Sequence, residues 1–280
     1  MQFSLVLGTI ERVQKLEHFL KSLDAQSCRD FELIIVDQNP DDRLVALIQS
    51  FGYCFPIIHL RSEKGLSRAR NVGLAEVIGE IVAFPDDDCW YPPDLLARVS
   101  EFFRNSPCWE GLTGRATDAE GRSSMGRFDH RSGPITYFSV WRRLTSFSIF
   151  LRSRLVRETG RFDETLGVGS GTPWGSAEEM DYIIRALKGG TQIYYDPDLI
   201  VYHPLTVEDF DFRAKRRHLV YGRGMGRVLR IQRYPLWFVT WMLIRPLGGA
   251  MIASSSLNFR RAHYHLGGFW GRLCGWLSKP

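Results

Sequence analysis

Residues 3–37 read FSLVLGTIERVQKLEHFLKSLDAQSCRDFELIIVD, and the alternation inside this stretch decides the fold class. Phe3–Leu7 and Phe31–Val36 are nearly unbroken apolar runs, the pattern of strands buried on both faces. Between them Val13, Leu16, Phe19, Leu20 and Leu23 fall on one face of a helix. Strand, helix, strand at this spacing is the βαβ unit, whose crossover is right-handed and whose strands run parallel. The pattern continues downstream. Leu44, Leu47, Ile48 and Phe51 share a helical face, and the runs Phe55–Leu60 and Glu80–Phe84 supply two more strands. The expected architecture is a single doubly wound α/β domain, in which ligands gather at the carboxyl ends of the strands.

The residues just past those ends are Thr9, Glu11 and Arg12, then Asp37, Gln38 and Asn39, then Asp86, Asp87 and Asp88. Strand ends need turn formers, and Asp and Asn serve as such, which accounts for Asp37 as well as a binding role does. The triplet asks for more. Three adjacent carboxylates repel one another, and a divalent cation offsets that cost. On an extended segment Asp86 and Asp88 project to one side while Asp87 points away. Hard Mg²⁺ or Mn²⁺ takes one or two carboxylates and completes its octahedron with water and phosphate oxygens.

Further along, the sequence predicts a helix over Asp94–Asn105, a strand over Gly111–Thr117 and an irregular loop over residues 118–140. SFSIFLRSRLV (146–156) resumes a strand and a helix start, and LGVGSGTPWGS (166–176) is a glycine-rich loop. Trp174 at its centre offers a face for a sugar ring, or else the loop is a tight turn that needs its glycines. AEEMDYIIRALKGG (177–190) is a helix closed by glycine, and TQIYYDPDLIVYHP (191–204) holds two short strands around a turn. Glu178, Glu179 and Asp181 crowd the first turn of that helix, where the macrodipole alone favours carboxylates.

A chain of 280 residues, 44% hydrophobic and 24% charged, is neither a disordered tail protein, a collagen nor a disulfide miniprotein. Its five cysteines (Cys28, Cys54, Cys89, Cys108, Cys274) are odd in number and scattered, and MQFSLVLGTIER enters its first apolar run with no basic residue before it. We therefore expect a cytosolic chain with reduced thiols. The net charge of +5 hides two halves: Phe212–Pro280 carries thirteen Lys or Arg and no acid, whereas the residues before it carry twenty-three basic and thirty-one acidic side chains. Such asymmetry points the basic part at an anionic surface or ligand.

Within that tail, RAKRRHLVYGRGMGRVLR (213–230) lacks the spacing of a dinucleotide fingerprint and is a weak signal for phosphate binding. The apolar stretch that follows is broken by Arg245-Pro246, leaving Pro235–Ile244 uninterrupted, about 15 Å as a helix and half a hydrocarbon core. Four of the eight tryptophans (Trp237, Trp241, Trp270, Trp276) lie here among arginines, the composition of a helix lying in the bilayer interface. A catalytic domain over 1–207 with a basic amphipathic membrane-associating extension over 208–280 is the expected division; a dimer helix, a core helix and a re-entrant hairpin are the alternatives for the extension.

FPDDDCWYPPDLL (84–96) resembles the D-x-D segment of family 2 glycosyltransferases. Three further segments resemble that family in order and spacing: residues 4–42 its nucleotide-binding start, EKGLSRARNVGLAEVIGEIVAF (63–84) its G-x-x-x-A-R-N-x-G segment, and WGSAEEMDYIIRAL (174–187) its Glu-Asp motif. The resemblance covers about residues 2–204. It implies a glycosyltransferase A fold and inverting transfer from a nucleotide-diphospho-sugar, a UDP-sugar first among them, to a hydroxyl acceptor. By position, Thr9, Glu11 and Asp37 would contact the nucleoside, Arg70 and Asn71 would line the nucleotide site, and Asp86 and Asp88 would hold the ribose and a Mn²⁺ or Mg²⁺ ion. His203 would complete the metal or diphosphate site, or else is a structural histidine at a strand end. The motif puts the general base at Glu179; a Glu in place of the usual Asp reaches farther, which keeps Glu178 in play.

A lipid-linked saccharide on a polyisoprenoid carrier would serve as acceptor, with the enzyme attached peripherally to an anionic leaflet on the cytoplasmic side and no nucleic acid as partner. Two other classes stay open on the residues alone. A metal-dependent phosphohydrolase or nuclease would also use Asp86, Asp88 and Glu179, though it would want a second ligand set. A catalytically silent module binding nucleotide-sugars or membranes is the third.

Overall fold

The computed structural model of the chain describes residues 1–205 and 209–279. They divide into two compact units: residues 1–64, 68–162 and 182–205 form the first, and residues 65–67, 163–181 and 209–279 the second. The expected boundary at 207/208 lies outside the described residues. What the sequence did not suggest is that 163–181, the glycine-rich loop and the acidic first turn, cluster with the basic tail rather than with the sheet.

The first unit is built on strands β1 (Phe3–Thr9), β2 (Phe31–Asp37), β3 (Ile57–Arg61), β4 (Ile81–Ala83), β5 (Gly111–Thr117), β6 (Gly133–Pro134), β7 (Ile149–Arg152) and β8 (Ile193–Tyr202). They form one mixed sheet in the order β3-β2-β1-β4-β7-β5-β8-β6. β1 to β4 are parallel, as their unbroken apolar runs require, while β7 runs antiparallel to both β4 and β5. The helices α1 (Val13–Asp24), α2 (Val45–Phe51), α3 (Leu66–Leu74), α4 (Leu95–Asn105) and α5 (Ser153–Thr159) connect them. α1 buries Leu16, Phe19, Leu20 and Leu23, the face marked by its 3.6-residue spacing.

Register does the positioning. Thr9 lies directly abreast of Asp37, and Leu5 abreast of Ala83, so the chain leaving β4 brings Asp87 level with Thr9. The two short strands expected over 191–204 are one strand, β8, whose pairing with β5 slips between Thr113 and Arg115. Gly114 sits at that slip, where a Cβ would stand 2.0 Å from the Leu199 carbonyl oxygen. The long loop over 118–140 holds the two-residue β6 and the start of a 3-10 turn at Ser139–Arg142. α6 (Glu178–Lys188) begins in the second unit and runs into the first.

The second unit rests on α7 (Phe212–Ile231), α8 (Leu236–Ser255) and α9 (Phe259–Leu277). Asp211 caps α7 by accepting from Ala214 N at 2.7 Å, and Asn258 caps α9 by accepting from Arg261 N at 3.0 Å. The glycines of G-R-G-M-G-R are packing residues, which corrects their reading as a phosphate signal. A Cβ on Gly226 would lie 2.0 Å from the Arg272 carbonyl oxygen, and one on Gly275 2.1 Å from that of Arg223, so α7 and α9 meet backbone to backbone. α8 also departs from expectation: Arg245 and Pro246 do not break it. Its 20 residues span about 30 Å, long and apolar enough to cross a membrane by length and composition, and a third of the most apolar window is buried. Pro246 is accommodated inside the helix on its buried face.

Gly226→Ala is expected to destabilise the chain by about 1–3 kcal/mol, because neither backbone at the α7–α9 contact can yield to the new methyl. Gly248→Ala in α8, where a Cβ would meet nothing within 4 Å, should instead be neutral or stabilising by up to about 1 kcal/mol. Urea denaturation of the two variants checks both, and equal effects would contradict the packing argument.

Candidate active site

Asp37, the last residue of β2, is fully buried and fully engaged. Its Oδ1 accepts from Asn39 N at 2.8 Å and Asn39 Nδ2 at 2.7 Å, while Oδ2 lies 3.0 Å from His59 Nε2 and 3.3 Å from Arg61 Nη1. His59 and Arg61 come from β3, with Arg61 abreast of Asp37 in register. Asn39 Oδ1 in turn accepts from Glu11 N at 2.8 Å, and Glu11 takes φ 63°, the left-handed region a non-glycine residue enters only when held there. Thr9, Glu11 and Asp37 are thus one connected set at adjoining strand ends, as the sequence suggested.

The Asp86-Asp87-Asp88 triplet departs from the expected alternation. Past β4 the chain turns at Asp87 and Asp88 instead of staying extended, so Asp87 does not point away. It is buried, accepting from Thr9 Oγ1 at 2.7 Å and from Arg12 Nη1 at 2.9 Å. Burial raises its carboxyl above the ordinary value, with Arg12 and Thr9 opposing. Asp88 accepts from the same Arg12 Nη1 at 2.7 Å and from Lys15 Nζ at 3.1 Å, and its Oδ1 lies 3.5 Å from His203 Nε2. Burial works to raise Asp88 too, but His203, Arg12 and Lys15 outweigh it and hold the carboxyl well below the usual carboxylate range. Asp86 turns elsewhere, to Arg70 Nη2 at 3.4 Å and Ser146 Oγ at 3.1 Å. There burial pushes it up to about 6, with Arg70 opposing and the neighbouring Asp88 and Asp87 adding.

Arg70 of α3 is almost wholly buried, its guanidinium 5.4 Å from the Phe162 ring centre and 5.9 Å from that of Phe84. Next to it, Asn71 bonds the Phe162 backbone twice, from Nδ2 to the carbonyl at 3.0 Å and from Phe162 N to Oδ1 at 2.8 Å. The sequence placed Asn71 against nucleotide; the structure commits its amide to a neighbouring segment.

His203 sets up a pair suited to a cation. Its Nδ1 lies 2.7 Å from the Pro204 carbonyl, which only accepts, so Nδ1 carries a proton. Nε2 then faces a carboxylate oxygen, and the two are compatible when Nε2 is protonated or when a cation lies between them. Phe147 stacks on the imidazole at 5.2 Å and fixes its plane. Adjacent ligands of an octahedral Mg²⁺ or Mn²⁺ site are about 3 Å apart, close to the Asp88–His203 separation of 3.5 Å, so the pair fits such an ion. Among the described residues no group of three His, Cys, Asp or Glu is arranged to hold a metal. Two protein ligands with phosphate oxygens completing the shell is the arrangement Mg²⁺ ordinarily takes.

In the second unit, Glu178 and Glu179 open α6. Glu178 is buried beneath Gly167, whose φ of 95° and lack of a Cβ are both needed, since a Cβ would fall 3.0 Å from Glu178 Oε2. Glu179 is half-buried. Asp181 is held from Gln232 Nε2 at 2.6 Å, which gives it a structural use. Trp174 has the Arg227 guanidinium 5.5 Å from its ring centre.

Residues 4–143 match the sequence model of Glycosyl transferase family 2. The chain belongs to glycosyltransferase family 2. The match favours a transferase over a phosphohydrolase, and the chain spans less than half the length of the first curated relatives it matches. The chain is 25% identical over 200 residues to the pre-mycofactocin glycosyltransferase of Mycobacterium tuberculosis, covering 68% of this chain but only 41% of that relative. Among solved structures, S. aureus TarS 1-349 in complex with UDP-GlcNAc matches with TM-score 0.65 at 16% identity, over 94% of this chain and 90% of that one. The mannosyltransferase PcManGT from Pyrobaculum calidifontis in complex with GDP-Man and Mn²⁺ matches with TM-score 0.65 at 12% identity, over 97% and 87%. This family 2 chain has the glycosyltransferase A fold of those structures, with a helical C-terminal extension.

Lys15, His59, Arg61 and Ser146 were not singled out by the sequence, which named Arg12 and Asp87 at strand ends without giving them a role. Arg61 carried a usable signal, because it ends an apolar run as Asp37 does; Ser146 carried none.

A carboxyl raised from 3.8 to about 6 favours the folded state at low pH, and that contribution is lost as pH rises through 6. With chelator present, Asp86→Asn should therefore gain about 1–3 kcal/mol on the wild type between pH 5 and 7.5. A stability difference flat across that range would contradict the raised carboxyl.

Proposed function

We propose that this glycosyltransferase inverts the anomeric centre of a nucleotide-diphospho-sugar, a UDP-sugar first among the donors, in passing the sugar to a hydroxyl acceptor on a lipid-linked saccharide. The observation that carries the donor reading is the strand-end set Thr9, Glu11, Asp37, Asp87 and Asp88, a compact polar ledge at the carboxyl ends of parallel strands. TarS in complex with UDP-GlcNAc and PcManGT in complex with GDP-Man support a nucleotide-sugar as donor.

Asp37, buried and held by Asn39, His59 and Arg61, braces the end of the ledge where the nucleoside would lie. Asp88 and His203 would hold Mn²⁺ or Mg²⁺, and PcManGT with Mn²⁺ supports that assignment. Such an ion, when bound, neutralises charge on the departing diphosphate. In the displacement, a carboxylate takes the proton of the acceptor hydroxyl, whose oxygen forms the new bond to the anomeric carbon as the bond to diphosphate breaks. We assign that proton transfer to Glu179 on the position of the motif and on its partial exposure, where Glu178 is 4% exposed.

The extension fits attachment to an anionic leaflet on the cytoplasmic side. Among the described residues, α8 buries Phe238, Val239, Met242 and Ala250 and leaves Trp237, Trp241, Ile244 and Met251 on an exposed apolar side. Arg245 stacks on Trp241 at 4.8 Å. Apolar face and cationic surroundings together suit a helix lying in the interface.

In a thermal-shift screen against nucleotides and nucleotide-sugars, one class should stabilise the protein in a Mn²⁺-dependent way, and His203→Ala should abolish the metal dependence. Stabilisation equal with Mn²⁺ and chelator would remove the metal assignment. Glu179→Gln should lower kcat about 10²–10⁴-fold with donor binding retained, whereas loss confined to Glu178→Gln would move the base one residue. Flotation with phosphatidylglycerol vesicles but not with phosphatidylcholine tests the attachment; no flotation with either overturns it.

A further inference from the structure

The second unit contains a groove of about 640 Å³ between the glycine-rich loop over 166–176 and the first half of α7. Arg213, Arg216, Arg217 and Val220 recur on α7 at i, i+3, i+4 and i+7, so one helical face turns three guanidinium groups and an apolar side chain to the groove. Among the described residues none that lines it is acidic. The opposite wall alternates glycine with small side chains: Gly167, Gly169 and Gly171 take φ of 95°, 77° and 77°, conformations that favour glycine and leave backbone open to close approach, with Ser170 and Thr172 adding hydroxyl groups. Val168 and Tyr221 add apolar surface at the sides.

Three arginines facing a glycine-rich loop with two hydroxyl side chains form a site for a large, multiply charged anion. Guanidinium forks match phosphate oxygens two at a time, and the groove opens near the amino end of a 20-residue helix, whose dipole adds to the attraction. The apolar walls suit a phosphate joined to a hydrocarbon stem better than a bare ion. We propose that this groove binds the phosphate or diphosphate of the sugar acceptor, and so selects acceptors that carry one. The proposal rests on the transferase reading for the word acceptor, while the groove's affinity for phosphate stands apart from it.

The test is equilibrium binding to the full chain in detergent, with farnesyl diphosphate, inorganic pyrophosphate and farnesol as probes. Farnesyl diphosphate should bind, and its dissociation constant should rise at least tenfold in Arg213→Ala/Arg216→Ala. It should stay within twofold of wild type in Arg260→Ala/Arg261→Ala, which removes the same charge from exposed positions outside the groove. Pyrophosphate binding as tightly would identify a phosphate site indifferent to the stem, and farnesyl diphosphate binding more tightly would identify a lipid-phosphate site; both support the groove. Absence of binding by either anion, equal binding in both double variants, farnesol binding as well as farnesyl diphosphate, or displacement of farnesyl diphosphate by UDP would each overturn it. Thermal stabilisation by UDP with Mn²⁺, read in parallel, tests the donor reading alone. Its loss with arginine-dependent binding intact sinks the UDP-sugar donor reading and not the groove, and the converse sinks only the groove.

Discussion

Four carboxylates, those of Asp37, Asp86, Asp87 and Asp88, gather at the carboxyl ends of two parallel strands, and the first unit is organised around compensating them. Carboxylates in partial burial cost several kcal/mol each unless paired or protonated. Each has its own solution: Asp37 takes Asn39, His59 and Arg61, Asp87 takes Thr9 and Arg12, Asp88 takes Arg12, Lys15 and His203, and Asp86 takes Arg70, Ser146 and a raised proton affinity. The compensating groups come from the end of β1, the turn after β2, β3, the start of α1, α3, the turn before β7 and the residue after β8. The sheet order and the crossovers are what bring them together.

That compensation bears on chemistry as well as on stability. Arg12 and Lys15 sit on the Asp88 carboxylate that a cation would use, so metal binding at Asp88 and His203 would trade one set of positive charges for another with little change in net field. Asp86, two positions before Asp88, has its carboxyl pushed up to about 6 by burial. Neighbouring carboxylates in unlike environments thus differ in proton affinity.

The second unit solves a different problem. A helical tail with thirteen cations and no anion cannot hold itself together by ion pairs, so α7 and α9 meet through glycine backbones, where dispersion and close approach replace charge pairing. Arg272 is buried, donating from Nη1 to the Met242 carbonyl, while Arg213, Arg216 and Arg217 are left to the groove beside the glycine-rich loop. One residue type, glycine, serves two ends here: flat helical surfaces at Gly222, Gly226 and Gly275, and left-handed turns at Gly167, Gly169 and Gly171.

The sequence by itself determined the parallel β1–β4 core, the helical face of α1 and the residues at the strand ends, because burial on both faces forces apolar runs whose ends are unmistakable. Local periodicity also marked the division of charge and the acidic turn at Glu178. It misjudged Asp87, since alternation holds only while a strand stays extended, and it split β8 at Pro197, where pairing with β5 carries one strand through a slip in register. It broke α8 at Pro246, which the helix tolerates on its packed face. Only the tertiary structure decided that Arg61, His59 and Ser146 complete the site, that Asn71 is spent on Phe162, and that residues 163–181 cluster with the tail. Those pairings join residues far apart in the chain, and no short-range pattern records them, because what selects them is the charge and space left over once the sheet has closed.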